Sequence, residues 1–165
     1  MRIAGIQRDS ITNGVGIRDV IFMQGCSHHC KGCHNPQTWD YDSGEIYLTG
    51  RILRELKDSP NNITISGGEP FDQYNALYRL VVAIKKATGK SIWIYTGNTV
   101  DISKSTYRRL APYVDVIVDG RYVEKLKDSE LVFRGSSNQR IIDLPKSVKA
   151  NKIVEWEDKY DEEGL

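Results

Sequence analysis

The chain has 165 residues, a hydrophobic fraction of 39%, a charged fraction of 27% and a formal net charge of +1. These values are ordinary for one soluble globular domain, and they exclude collagen-like, fibrous and disordered proteins. The 23 basic and 22 acidic side chains give no global field that favours nucleic acid or an anionic membrane. No apolar run approaches the roughly 20 residues of a membrane-spanning helix. We therefore expect a single domain over residues 1–165.

Apolar runs alternate along the chain with longer segments of helical period, which is typical of β-α-β units and a parallel sheet. In chain order, we predict a strand at 18–23, a helix at 49–57, a strand at 62–66, a helix at 72–88, a strand at 91–95, a helix at 103–110, and strands at 114–118 and 140–144. The helix at 72–88 has the clearest pattern, because apolar residues recur on one face and Gly89 supplies a stop signal. The segment 133–137 resembles a loop.

The end of the chain is acidic. Residues 155–163 hold six acidic side chains and one lysine. A run of this kind is usually solvated and partly disordered, and we favour that interpretation over a partner-binding role. We expect an acidic, flexible tail over about 147–165.

Four loops each follow a predicted strand. They are the cysteine loop, the Gly67-Gly68-Glu69-Pro70 segment, Thr96-Gly97 and Asp119-Gly120. The carboxyl ends of parallel strands meet at one edge of a sheet, and ligands of α/β proteins gather there. The sequence therefore predicts one binding site that these loops share.

The cysteine loop contains all three cysteines of the chain, Cys26, Cys30 and Cys33, in the spacing C-x3-C-x2-C. An odd number so close together is a poor disulfide framework but a good local chelate, which indicates a reducing, cytoplasmic location. Cluster sites normally use four cysteines, so three thiolates would leave one iron of a four-iron cluster open to another ligand. The alternative is a zinc site whose fourth ligand is one of the nearby histidines, His28, His29 or His34.

Together, the C-x3-C-x2-C loop after one strand and G-G-E-P after the next resemble the radical S-adenosylmethionine (SAM) superfamily. The resemblance implies that Cys26, Cys30 and Cys33 hold a [4Fe–4S] cluster whose fourth iron binds the amino and carboxylate groups of SAM. It implies that an electron from the cluster cleaves SAM to methionine and a 5′-deoxyadenosyl radical, which abstracts a hydrogen atom. The cofactors would carry the chemistry, and the protein would position them.

A narrower resemblance covers most of the chain, from about residue 3 to residue 142. Its motifs are Asn13-Gly14-x-Gly16-x-Arg18, Phe22-x-x-Gly25-Cys26, Cys30-x-Gly32-Cys33-His34-Asn35-Pro36-x-Thr38-Trp39 and the segment 133–140. Together they are similar to the anaerobic ribonucleoside-triphosphate reductase-activating proteins. Membership would imply that the substrate is a glycine of that reductase, that the product is a glycyl radical, and that an electron donor such as a flavodoxin supplies the electron.

The resemblance also suggests which residues bind SAM. Gly67, Gly68 and Glu69 correspond to the segment that meets the SAM amino group, and a carboxylate suits an ammonium. Thr96 could contact the carboxylate or ribose of SAM, and Asp119 resembles an aspartate that contacts SAM in related activases. For each of these the alternative is an ordinary turn at a strand end. Arg121 stands where related activases often have lysine, which leaves that contact open.

The expected fold is an incomplete parallel (β/α) barrel of the radical SAM type, since a full barrel takes about 250 residues. Two other functions stay open. One is a carboxy-deazaguanine synthase-like radical SAM enzyme, which shares G-G-E-P but lacks the segment 133–140. The other is a non-catalytic iron–sulfur or zinc module, which would not need an open ligand position.

Overall fold

A computed structural model describes residues 1–158, which form a mixed α/β fold around one seven-stranded sheet. The strands are β1 (Arg2–Ser10), β2 (Arg18–Met23), β3 (Glu45–Ile46), β4 (Asn62–Gly67), β5 (Ile92–Tyr95), β6 (Val116–Asp119) and β7 (Arg140–Asp143). The helices are α1 (Thr49–Leu56), α2 (Tyr74–Thr88), α3 (Ser105–Leu110) and α4 (Leu144–Ala150), with short 3-10 turns at Pro36–Thr38, Pro70–Gln73 and Glu124–Leu126.

The sheet has the order β3-β1-β2-β4-β5-β6-β7. Its middle four strands, β2, β4, β5 and β6, are parallel to one another, which confirms the expected core of β-α-β units. Both edges are antiparallel, because β1 pairs with β2 and β3, and β7 pairs with β6. The sheet is therefore mixed, and the expectation of a wholly parallel sheet holds only for the middle.

The two faces of the sheet are different because side chains alternate along each strand. The face under the helices carries most of the core, including Ile21, Ile63, Ile65, Ile94 and Ile117, all fully buried. The opposite face carries a smaller aromatic cluster around Trp93, Val116 and Val118, against which Val15, Phe133 and Trp156 pack.

Loop 11–17 folds over this second face, and Arg18 fixes it there. The Arg18 side chain is fully buried and donates to Thr64 Oγ1 at 2.7 Å, to the Ile63 carbonyl at 2.6 Å and to the Val15 carbonyl at 3.1 Å. Its guanidinium lies 5.3 Å from the centre of the Trp93 ring. Burial lowers the pKa of Arg18 to about 10, and the carbonyl and hydroxyl acceptors compensate for the lost hydration.

The predicted elements agree with the structure to within a few residues. The strand at 18–23 is correct at both ends, and α2 begins at Tyr74 because Pro70–Gln73 forms a separate 3-10 turn. Gly89 ends α2 in the left-handed conformation, as expected from its place after the last helical residue. Predictions missed β1, in which two irregularities of register break the alternation of buried residues.

The segment 147–165, for which we expected an acidic tail, is described only to Asp158; residues 159–165 lie outside the described part. Within it, α4 continues to Ala150; the helix is capped at its start by Asp143, whose carboxylate accepts from the Lys146 amide at 2.9 Å. Farther on, the Trp156 amide donates to the Ile141 carbonyl at 2.8 Å, and its ring packs 5.1 Å from Trp93. Among residues 1–158, no helix has the length and apolar character needed to cross a membrane.

Candidate cluster and cofactor site

A cavity of about 570 Å³ lies at the carboxyl ends of the parallel strands, over the aromatic face of the sheet. All three cysteines line it, together with Gly67, Gly68, Tyr95, Thr96 and Gly97 from the loops and ends of β4 and β5. The structure thus brings the cysteine loop and all three of the other predicted loops into one site, the Asp119-Gly120 loop through Gly120. A cavity of this size is within the range of small-molecule and cofactor sites.

The cysteine loop is held by its own backbone and by the segment that follows it. Gly25 N donates to the Thr38 carbonyl at 2.7 Å, and Cys26 N donates to the Trp39 carbonyl at 3.1 Å. Cys26 is buried, whereas Cys30 and Cys33 are half-buried, and none of the three forms a disulfide. Burial is the main reason why the pKa of the Cys26 thiol is raised.

Asp72, in the 3-10 turn that precedes α2, binds the cysteine loop through its carboxylate. Its carboxylate accepts from the Ser27 amide at 2.9 Å, from the Ser27 hydroxyl at 3.1 Å and from the Tyr41 hydroxyl at 2.5 Å. Burial and the bond to Asp72 raise the pKa of Tyr41 to about 12, so the phenol stays protonated as a donor. Sequence reasoning missed Asp72, because an acidic residue before a helix is normally assigned to helix capping.

Two donors lie beside the cysteines. The Asn35 amide donates to Cys33 Sγ at 3.3 Å. Trp39 lines the same cavity, and its Nε1 is the one buried side-chain nitrogen or oxygen within residues 1–158 that has no hydrogen-bond partner. An electron-rich sulfur cluster bound by the three cysteines would supply an acceptor on this side, so the residues present fit such a group.

The three nearby histidines have other partners. His29 stacks on Trp39 with ring centres 4.7 Å apart, and His34 lies 5.0 Å from the Tyr122 ring. His28 Nε2 lies 2.8 Å from Glu69. In the part of the chain that the structure describes, no three histidine, cysteine or acidic side chains form a group that could hold a single metal ion. All three histidines are thus engaged with other side chains.

The Gly67–Glu69 segment extends β4 along the cysteine loop. Gly68 N donates to the Met23 carbonyl and Glu69 N donates to the Gly25 carbonyl, each at 2.8 Å. A Cβ at Gly68 would collide with the Gly25 carbonyl oxygen, so this close approach of two backbones requires glycine. The G-G sequence therefore fixes the second loop directly against the cysteine loop.

Glu69 is 1% exposed, and protein donors surround its carboxylate. Oε1 accepts from Phe71 N at 3.0 Å and from the Thr96 hydroxyl at 2.8 Å, while Oε2 accepts from Gly97 N at 2.9 Å and from His28 Nε2 at 2.8 Å. A carboxylate has about four lone-pair positions, and here all of them are used. Glu69 therefore joins the cysteine loop, its own loop and the Thr96-Gly97 turn.

His28 has a second partner. Arg121 Nε donates to His28 Nδ1 at 3.1 Å, which leaves the proton on Nε2 for the bond to Glu69. The ring packs tightly over Gly97, because a Cβ there would lie 2.5 Å from the ring. His28 thus links Glu69 to the loop that follows β6.

Neither Glu69 nor Asp119 lines the cysteine cavity itself. Asp119 lines an adjoining cavity of about 440 Å³ with His28, Gly97 and Arg121. Its carboxylate accepts from Arg140 Nε at 3.0 Å, from Arg140 Nη2 at 2.5 Å and from the Val100 amide at 2.7 Å. The hydrogen bond to Asp119 raises the pKa of Arg140.

The segment 133–140 closes one side of the cysteine cavity. The Tyr95 hydroxyl donates to the Phe133 carbonyl at 2.7 Å, and burial raises the pKa of Tyr95. Phe133 has a positive φ of 57°, a strained conformation for a bulky residue, and its ring packs edge-on against Trp93 and Trp156. Its neighbour Val132 is exposed at the cavity mouth.

Known proteins with similar sequences include a family whose domain binds a 4Fe-4S cluster, which agrees with three cysteines lining one cavity. The sequence model of a 4Fe-4S single cluster domain matches residues 12–142. The anaerobic ribonucleoside-triphosphate reductase-activating protein of Haemophilus influenzae is 36% identical over 140 residues, which is 79% of this chain and 90% of that protein. The protein of the same name from Vibrio cholerae is 38% identical with the same coverage. The one from Enterobacteria phage T4 is 36% identical over 78% of this chain and 85% of its own.

Proposed function

The chain belongs to the family of anaerobic ribonucleoside-triphosphate reductase-activating proteins, and we propose that it is an activating enzyme that generates a glycyl radical on such a reductase. The cofactors of this proposal are a [4Fe–4S] cluster and SAM. One observation carries it: the three cysteines share a single cavity with the Gly67-Gly68 backbone. The cysteines would hold the cluster, and the Gly67-Gly68 segment would border SAM.

The proposed fold type is the incomplete (β/α) barrel of radical SAM enzymes. Four parallel strands with helices on one face and a cavity over the other support it. The free thiols are compatible with a reducing compartment, and we place the protein in the cytoplasm with an electron donor such as a flavodoxin.

When bound, the cluster and SAM supply one-electron cleavage of SAM to methionine and a 5′-deoxyadenosyl radical, which takes a hydrogen atom from the glycine Cα. The chain's own residues hold and enclose these groups. Cys26, Cys30 and Cys33 would ligate three irons and would leave the fourth for SAM. Asp72 and Glu69 keep the loop that carries the cysteines against the sheet.

Gly67, Gly68 and Thr96 line the cavity and are the residues proposed to border SAM. Glu69 reaches the SAM ammonium only if one of its four donors leaves, because its lone-pair positions are all used. Two of the donors are backbone amides, and the third is the buried Thr96 hydroxyl. The fourth is the His28 side chain, which is longer than that of Thr96 and can turn away. We therefore propose that the ammonium replaces His28 at Glu69 Oε2. For Asp119 we propose an indirect role, through the order of the loop that carries Arg121.

The partner's glycine reaches the cavity through a mouth with an apolar rim. Ile11 and Val132 are 72% and 62% exposed, and both line the cavity. We assign this rim to the glycine-bearing segment of the reductase, because a protein substrate has to enter the cavity to meet the radical. Leu48 and Ile46, which are 76% and 63% exposed and do not line the cavity, give matched controls.

The test mixes reduced protein, SAM and the anaerobic reductase without oxygen and records electron paramagnetic resonance (EPR). We expect a carbon-centred radical on the reductase and, with deuterated glycine in the reductase, transfer of deuterium into 5′-deoxyadenosine. Cys30→Ala should give neither. The substitutions Ile11→Ser and Val132→Ser should reduce radical yield at low reductase concentration, whereas Leu48→Ser and Ile46→Ser should not.

No radical on the reductase, despite an intact cluster and competent reduction, would overturn the function and favour a radical SAM enzyme with a small-molecule substrate, such as the carboxy-deazaguanine synthase type. A colourless protein purified without oxygen would instead indicate zinc, since iron–sulfur proteins are brown.

A further inference from the structure

The indole N–H of Trp39 is a buried donor without an acceptor. Nε1 is fully buried, and no protein group within residues 1–158 accepts its hydrogen bond. Leaving such a donor unpaired is destabilising, so a native protein normally provides a partner. Indole N–H can only donate, which means that the missing partner is an acceptor.

The surroundings of Trp39 identify the kind of acceptor. Its backbone carbonyl accepts from the Cys26 amide at 3.1 Å, and its ring stacks on His29, which lies between Cys26 and Cys30. The first contact holds the Trp39 backbone beside the cysteine loop, the second places its ring against that loop, and Trp39 lines the cavity that the three thiols line. One sulfur in this loop already receives an amide hydrogen bond, since Asn35 N donates to Cys33 Sγ at 3.3 Å.

From these contacts we infer that Trp39 Nε1 donates a hydrogen bond to a sulfur of the bound cluster, either a ligating thiolate or a bridging sulfide. The inference rests on the proposed [4Fe–4S] cluster. Hydrogen bonds to cluster sulfurs are one of the factors that set reduction potential. A donor stabilises the more negative, reduced cluster, so Trp39 raises the potential and makes the cluster easier to reduce. Trp39 is thus a tuning residue that acts on the cluster.

The substitution Trp39→Phe removes the N–H and keeps an aromatic ring for His29. An EPR-monitored redox titration in the absence of SAM should show the potential of the variant shifted to a more negative value. Trp156→Phe is the matched control, because Trp156 does not line the cavity, and its potential should equal that of the wild type.

A second measurement needs no variant. Wild-type protein labelled with ¹⁵N-tryptophan and reduced in D₂O should give a pulsed EPR coupling from one indole nitrogen and its deuteron, and Trp39→Phe should lose it. An intact cluster with an unchanged potential and no such coupling would overturn the inference while leaving the proposed function standing. A change in SAM affinity alone, without a change in potential, would also overturn it, because the acceptor would then be SAM. Absence of iron and sulfide from the wild type would instead refute the proposed function.

Discussion

Glu69 and Asp119 are two buried carboxylates at the carboxyl ends of the parallel strands β4 and β6, which flank β5, and they serve different parts of the molecule. Both are 1% exposed, and both were predicted to contact SAM. Glu69 binds His28 of the cysteine loop, whereas Asp119 pairs with Arg140 of β7. A strand-end position therefore predicts that a carboxylate lies near the binding edge, but its hydrogen-bond partners decide which part of the molecule it holds.

The loop after β4, which contains Glu69, and the loop after β6, which follows Asp119, should differ most in how they tolerate substitution of their glycines. We expect Gly68→Ala to abolish cluster assembly, because the new Cβ would collide with the Gly25 carbonyl and push the two loops apart. Gly120→Ala has room, with its nearest neighbour 3.7 Å away, but a φ of 99° strains it by roughly 1–3 kcal/mol. Iron and sulfide content per chain, measured with thermal unfolding, checks both. A full cluster in Gly68→Ala would contradict the backbone contact.

Substitutions of Glu69 and Asp119 themselves should differ in their effect on SAM affinity. We expect Glu69→Gln to weaken SAM binding about tenfold or more, since a charge-assisted hydrogen bond contributes about 1.5–3 kcal/mol. Asp119→Asn should change SAM affinity less than about threefold, because its acceptors serve Arg140 and Val100. The measurement is a SAM titration followed by the spectrum of the cluster, at matched cluster content. Equal losses in the two variants would show that both carboxylates reach the ligand.

The positions of the cysteine loop and the glycine pair follow from the sequence, because they depend on patterns within short segments of the chain. The strand at 18–23, the glycine pair and the cysteine spacing place two loops at one sheet edge, and that is where the structure has them. The partners of the polar groups could not be predicted. Asp72 contacts Ser27 from 45 residues away, and only the packed fold brings them together.

Two other features, strand β1 and the unpaired N–H of Trp39, were missed because their signals are not in the local sequence pattern. Sequence period predicts strands that are buried in regular alternation, whereas β1 has two irregularities of register and only Ile3 and Ser10 buried. The unpartnered N–H of Trp39 has no sequence signal, since a tryptophan in a loop is normally assigned to packing.

A smaller effect is expected from His28, the donor that the SAM ammonium would replace. His28→Ala removes this competitor, so at matched cluster content SAM should bind about threefold to tenfold more tightly, in line with a hydrogen bond of about 1 kcal/mol. Gly97→Ala is an independent variant, because its Cβ would push the His28 ring away from the same place. Weaker SAM binding in both would mean that His28 positions Glu69 for the ligand instead of competing with it.

The smallest effect should come from Arg121, which connects the two loops through His28. Its Nε bond to His28 Nδ1 is exposed, and exposed contacts of this kind contribute less than about 1 kcal/mol. Arg121→Ala should free His28 to leave Glu69 and tighten SAM binding by about twofold, a small change that the same spectral titration resolves. Because Arg121 acts through His28, the double variant with His28→Ala should bind SAM no more tightly than His28→Ala alone. Additive effects in that cycle would show that Arg121 reaches the ligand directly and that the loop after β6 contributes its own contact to the site.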